Sequence, residues 1–332
     1  MCGICGIRRF GPEPITPDQI NIMLIQNEKR GMQATGVALQ QADGSIQVWK
    51  KDEPAWRFVT LPGFKEFIAA NLHPETLTFI GHTRAATKGL PCFDKNNHPM
   101  WHGETAMVHN GVIHNDDDLF KEFKLERSAE TDSDIIRAIL DWKGFTREGL
   151  TTLNRIRGSA AFAAISTKFP GKLVLARSGS PLQLAATKNQ LLWSSEREPI
   201  FHALRDYEKK FGVWMRRNLV ECDMMPMNND SAYIFTDRPE AEDGVEFYPE
   251  DPSTGNWMEW HQEFKSAMTY TTPTYRPHET YNVTRIKNYG ETKIDIILCP
   301  NTKCRAWLPV TPAQLQNLKT VRCGQCKGKL AA

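Results

Sequence analysis

Cys2-Gly3-Ile4-Cys5-Gly6-Ile7 follows directly on Met1. Loss of an initiator Met next to a side chain as small as Cys would leave a thiol and a free α-amine on one residue. An α-amine ordinarily titrates at about 7.7–8.0. It can therefore take the thiol proton, directly or through one water, and the residue becomes its own nucleophile–base pair. A cysteine near a terminus is more often incidental, so the residues downstream decide.

Those residues belong to a chain of 332, 40% apolar, with a formal net charge of +2. That length can bury one large core or two smaller ones, and the charge is too small to imply a polyanionic partner for the whole protein. No apolar run reaches the roughly 18 residues that span a bilayer. Nor does a basic stretch lead into an apolar one at the start, as in a secretion signal. A cytoplasmic protein with no membrane association is expected. Of the eight cysteines, Cys2, Cys5, Cys92 and Cys222 are scattered, whereas Cys299, Cys304, Cys323 and Cys326 cluster. Without a secretion signal, clustered pairs read as metal ligands before disulfides.

Residues 2–236 mix β-like runs with helical patterns. Strands are predicted at Thr35–Leu39, Ile46–Trp49, Leu77–Ile80, Ala106–Val108, Ala160–Ile165, Leu173–Ala176 and Leu191–Trp193. Helices are predicted at Thr16–Lys29, Leu61–Asn71, Asp132–Trp142 and Ser195–Tyr207, with Thr16 or Asp18 capping the first and Thr131 or Asp132 the third. Grouped strands with helices between the groups favour two stacked sheets with helices outside, not a βαβ repeat. Residues 237–282 are rich in Pro, acidic residues, Thr and Tyr. They read as a linker with one short helix at Trp257–Met268. Residues 283–332 form a third, small zone.

Six further segments follow the opening hexapeptide in order, making seven with Cys2–Ile7: Arg30-Gly31-Met32-Gln33-Ala34-Thr35-Gly36, Gly81-His82-Thr83-Arg84-Ala85-Ala86-Thr87, Asn96-Asn97-His98-Pro99, His109-Asn110-Gly111, Glu130-Thr131-Asp132-Ser133-Asp134 and Arg177-Ser178-Gly179-Ser180-Pro181-Leu182. Any one is weak. Together, over roughly 200 residues, they resemble the class II glutamine amidotransferases, a branch of the N-terminal nucleophile hydrolases. Domain relatives include glucosamine-6-phosphate synthase, amidophosphoribosyltransferase and asparagine synthetase. The resemblance implies an α+β fold, a four-layer αββα sandwich, and hydrolysis of glutamine to glutamate and ammonia with Cys2 as nucleophile.

Glutamine is a zwitterion with a distal amide, and each part needs a partner. Arg84 offers a planar fork for the α-carboxylate, able to pair bidentately. Asp132 offers charge for the α-ammonium. By carry-over from the family, the Asn110 side-chain amide and the Gly111 backbone N–H form the oxyanion hole. Asn110-Gly111 read without the family is a plain β-turn. By the same resemblance, Thr87 and Gly89 are expected as glutamine-facing backbone positions. Two residues depart from the family pattern: Ala85 stands where Trp is usual, and Lys88 where His is usual. The segment helps to close over glutamine in glucosamine-6-phosphate synthase, so a different lid geometry is expected here.

None of the relatives' acceptor domains fits in the 96 residues after 236, and no Gly-rich phosphate loop occurs there. The ammonia acceptor is therefore expected to be a separate synthase. In the tail, Cys299-Pro-Asn-Thr-Lys-Cys304 and Cys323-Gly-Gln-Cys326 are two knuckle-like pairs with 18 residues between them. Four thiolates suit one structural, tetrahedral Zn²⁺ in a zinc ribbon, a staple for a module too small to bury much core. Free thiols or an oxidised pair are the alternatives. Nine Lys/Arg against two acids in 283–332 are compatible with nucleic acid, an acidic protein surface or a merely solvated face. Trp307 reads as core of that module. Two competing functions stand beside the glutaminase: a degenerate amidotransferase that binds through its ribbon, and a hydrolase acting on another amide.

Overall fold

A computed structural model of the chain describes residues 1–187, 189–211 and 224–236, and the strand segments 241–246, 283–285, 295–298 and 307–310. The chain divides into Met1–Thr272 and Pro273–Ala332.

The first unit contains two sheets whose ladders between named strands are all antiparallel. In chain order its elements are β1 (Gly3–Arg9), α1 (Pro17–Asn27), β2 (Ala34–Gln40), β3 (Ile46–Lys51), α2 (Ala55–Phe58), α3 (Pro62–Asn71) and β4 (Thr78–Arg84). They continue with β5 (Met100–His102), β6 (Thr105–Ile113), α4 (Asp116–Phe123), α5 (Asp134–Lys143), α6 (Arg147–Thr152), β7 (Gly158–Ser166) and β8 (Leu173–Ser178). The last are β9 (Gln183–Ala186), β10 (Gln190–Ser194), α7 (Arg197–Phe211), β11 (Met225–Pro226), β12 (Ser231–Phe235) and β13 (Ala241–Glu246). One sheet runs β11-β9-β10-β1-β4-β2-β3, the other β13-β12-β8-β7-β6-β5. The second sheet thus continues past residue 236, into the stretch expected to be linker.

Alternation along the strands builds the layers. In β7, Ala161, Ala163 and Ile165 turn inward to meet Ile4, Ala38 and Ile80 of the first sheet. The intervening Ala160, Phe162 and Ala164 face outward onto Ile135, Ile139, Phe145 and Leu150 of the α5–α6 region. Both faces are covered, so β7 reads as an unbroken apolar run rather than an alternating one. On the other side α1 lies along β1 and β4 and packs against α7. The order is helices, sheet, sheet, helices: the αββα sandwich.

Local rules explain the start of α1 but not that of α5. Thr16 Oγ1 accepts from the Gln19 N–H while Gln19 Oε1 accepts from the Thr16 N–H. This capping box contributes about 1 kcal/mol, and Pro17 occupies the first helical turn without losing a bond. Asp18 sits inside that turn and not at the cap. α5 starts at Asp134, two residues later than expected. Neither Thr131 nor Asp132 caps it: Asp132 turns toward β6 and accepts from the Ile113 N–H at 2.7 Å, while Asp134 gathers the N–H groups of Ser128 and Ala129.

The second unit contains β14 (Val283–Arg285), β15 (Asp295–Leu298) and β16 (Trp307–Val310) in one antiparallel sheet. Leu298 pairs with Trp307, so the chain joining β15 to β16 carries Cys299 and Cys304. All four clustered cysteines, and the helix expected at Trp257–Met268, lie outside the described residues.

Candidate active site

β1 and β4 are adjacent in the first sheet, and their register sets Gly3 against Thr83. Cys2 thus emerges beside the end of β4, where Arg84 and Ala85 lie. Its Sγ is 3.4 Å from both the backbone N–H and the carbonyl of Ala85. A side chain at Gly3 would have no room: its Cβ would stand 2.6 Å from Thr83 Oγ1. Gly6 is required by Trp193, whose ring would be 2.1 Å from a Cβ there. The start of β1 is held further by Ser195, which donates its N–H to the Ile4 carbonyl and accepts the Ile4 N–H on Oγ. Arg30 fixes Cys2 itself: its Nε donates to the Cys2 carbonyl at 2.7 Å and its Nη1 pairs with Glu196.

Burial pushes the Cys2 thiol up. The Ala85 hydrogen bond, the terminal ammonium and Arg84 pull it down, and Asp132 adds to the rise. Arg84 feels Cys2 and Asp132 in turn. These residues, far apart in sequence, share one electrostatic neighbourhood.

Arg84 is buried and three of its five N–H groups are engaged. Nη1 donates to Asn97 Oδ1 at 2.7 Å, and Nη2 donates to the carbonyls of Lys88 at 2.8 Å and Gly89 at 2.6 Å. Nε–H and one N–H of Nη1 remain, in place of the free fork that the sequence suggested. Gly89, at φ +77°, lies against Asn96, which would be 2.8 Å from a Cβ. Thr87 is exposed.

Asn110 and Gly111 are not in a turn. They lie within β6, opposite Ala161 and Ala160 of β7. Gly111 has φ +154°, and a Cβ there would meet the Ser159 carbonyl at 1.9 Å, so glycine is obligatory. Asn110 is buried, and its Nδ2 has no protein partner. A buried donor left unpaired costs about 1–3 kcal/mol, so this amide is held in place by its surroundings. His82 of β4 contributes: its Nε2 lies 3.1 Å from the His109 carbonyl. A carbonyl can only accept, so His82 carries its proton on Nε2. Burial pushes His82 down to about 3, which keeps it neutral. His98 stacks on it at 4.2 Å. His109 Nδ1 meets Ser133 Oγ at 2.8 Å, tying β6 to the segment that carries Asp132.

The structure therefore gathers Cys2, Arg84, Gly89, Asn110, Gly111 and Asp132 around the facing ends of β4 and β6. Arg30, Gln33, Asn96 and Asn97 were visible as motif letters without roles; Gln33 Oε1 accepts from the Ala86 N–H. Among the described residues no group of three or more His, Cys, Asp or Glu is arranged to hold a metal. No described helix is long and apolar enough to cross a membrane.

Residues 82–202 match a glutamine amidotransferase domain family. The chain is 34% identical over 221 residues to the isomerizing glutamine–fructose-6-phosphate aminotransferase of Aquifex aeolicus, covering 64% of this chain and 35% of that one. It is 32% identical over 206 residues to the enzyme of the same name from Gluconobacter oxydans, covering 59% and 32%. Among solved structures, glutamine phosphoribosylpyrophosphate amidotransferase from B. subtilis superposes with a TM-score of 0.54 at 17% identity, over 74% of this chain and 49% of that one. The chain carries a class II glutamine amidotransferase domain of the N-terminal nucleophile type. It spans about a third of the length of these curated relatives.

Proposed function

We propose that this chain hydrolyses glutamine to glutamate and ammonia, with Cys2 as the terminal residue once Met1 is removed. A thiol that burial pushes up stays protonated near neutrality and needs a base, and the freed α-amine supplies one. The Cys2 thiolate attacks the side-chain carbonyl carbon of glutamine. The resulting oxyanion takes hydrogen bonds from Asn110 Nδ2 and the Gly111 N–H. Collapse expels the amide nitrogen, which leaves as ammonia after taking the proton held by the amine. Water then cleaves the thioester, giving glutamate and restoring the thiol.

Arg84 meets the α-carboxylate with its charge and its two remaining N–H groups. Asp132, one oxygen occupied by the Ile113 N–H, meets the α-ammonium with the other. Gly89 and Thr87 border the substrate. The observation that carries the reading is the buried, unpartnered Nδ2 of Asn110: a donor kept without a partner is what a developing oxyanion requires. Ammonia release from glutamine by wild-type protein and by Cys2→Ala tests it. Loss in the variant supports it; equal rates in both remove it.

The ammonia passes to a separate synthase in this reading, and the protein works in the cytoplasm. The tail holds one structural Zn²⁺ on Cys299, Cys304, Cys323 and Cys326. The first pair lies on the connection between two antiparallel strands, which suits a ribbon knuckle. The module's basic balance suits recruitment of an acidic surface, of protein or nucleic acid.

A further inference from the structure

Lys88 stands where the family pattern has His, and its side chain has a partner of its own. Its Nζ lies 2.8 Å from Asp116 Oδ2 and 3.8 Å from Asp117 Oδ2. Asp116 is the first residue of α4. Its side chain is 5% exposed, against 44% for Lys88. Arg127 also reaches Asp116, at 2.8 Å, and pairs with Asp117. The Arg127 guanidinium is itself seated over the Phe120 ring at 4.4 Å. Burial works to raise the Asp116 carboxyl, but the hydrogen bonds from Lys88 and Arg127 outweigh it and hold the group below the usual range. Asp116 is thus a fixed anion near neutrality, and Lys88 is the partner on the loop.

The two residues come from opposite sheets. Lys88 follows β4, the strand that ends in Arg84. Asp116 follows β6, the strand that carries Asn110 and Gly111. The backbone of Lys88 faces Arg84, since its carbonyl accepts from Nη2 alongside that of Gly89. A single residue therefore holds the guanidinium with its carbonyl and the opposite wall with its ammonium.

We propose that the Lys88–Asp116 pair is a clasp across the mouth of the site. It makes Lys88 a positioning residue that sets glutamine affinity by fixing the Arg84 loop, and leaves the chemical step to the groups beneath. The proposal rests on the glutaminase reading above. Glutamine kinetics on the processed, full-length protein test it, with wild type, Lys88→Met, Lys88→Arg, Asp116→Asn and the double variant at low salt and at roughly 0.5 M NaCl.

An ion pair this exposed on one side is worth about a three- to fivefold change in affinity. Lys88→Met should raise KM by that factor with kcat within about twofold, and Lys88→Arg should restore it. The double variant should be no worse than Asp116→Asn, because that change already removes the Lys88 pair along with the Arg127 one. Salt should raise the wild-type KM toward that of Lys88→Met and move the variant less. An unchanged KM in Lys88→Met, multiplied effects in the double variant, or a fall in kcat alone would overturn the clasp. Wild-type protein that releases no ammonia from glutamine would remove the glutaminase reading, and the clasp with it.

Discussion

Replacing Asn110 by Ala separates chemistry from stability at one position. In the folded protein Nδ2 is buried without a protein partner, so its removal relieves a desolvation cost of about 1–3 kcal/mol. Truncation also leaves a small cavity and loses contacts, with a cost of similar size and opposite sign. The two offset each other, and the melting temperature should move little. Catalysis should not be spared. One oxyanion donor is worth about 2.7–4 kcal/mol in the transition state, or roughly 100- to 1000-fold in kcat. The glutamine KM should stay near wild type, because the donor acts on charge that develops after binding. Steady-state ammonia release beside calorimetric melting reads both. A KM-only effect would refute the oxyanion role. A large fall in melting temperature with kcat retained would show that Asn110 holds β6 together instead. Gly111 does not permit the same test, since any Cβ meets the Ser159 carbonyl.

Asp132→Asn keeps an oxygen for the Ile113 N–H and removes only charge, so it should raise the glutamine KM at least tenfold with little loss of stability; an unchanged KM would separate Asp132 from the α-ammonium. Protein engineered to retain Met1 should release no ammonia, and intact mass measurement should find Cys2 first in every active preparation. Burial pushes Glu28 up to about 7, against the pull of the Trp56 and Ala55 N–H groups. Because its folded pKa lies above the unfolded one, its contribution is fully present below about 4.5 and lost as pH rises through about 7. Glu28→Gln, whose oxygen can still accept from Trp56, should flatten stability against pH across that window, by about 3 kcal/mol at most; a wild-type slope retained in the variant would place the titrating group elsewhere. Truncation near residue 282 should keep glutaminase activity and lose one zinc per chain by elemental analysis, whereas metal retained in the truncated protein would move the site.

Much of the sandwich was legible because its central strands are buried on both faces and read as apolar runs, as at Ala160–Ile165 and Leu173–Ala176. β1 was missed as a strand because Gly3 and Gly6 interrupt its pattern. Their reason lies elsewhere in the chain, in Thr83 and the Trp193 ring that occupy the space. α4 was missed because Asp116-Asp117-Asp118 shows no apolar period; buried Leu119 and Phe120, with Phe123 packed beside them, anchor it to the core. The candidate site letters were readable from motif order. Their partners were not: nothing local shows that Asn110 pairs with Ala161 of β7 inside a strand, or that the Asp132 carboxylate accepts from the Ile113 N–H instead of capping α5. Lys88 stood out as a departure, yet nothing local points to Asp116, 28 residues on.

The central claim is that Cys2 is the nucleophile. 6-Diazo-5-oxo-norleucine presents glutamine's α-amino and carboxylate groups with an electrophilic end, so it reports which thiol the site aims at the amide carbon. Processed protein treated with it should carry one adduct, located on Cys2 by peptide mass spectrometry, lose ammonia release in proportion, and be protected by glutamine. An adduct on Cys5 or Cys92, or labelling spread evenly over several cysteines, would contradict the account.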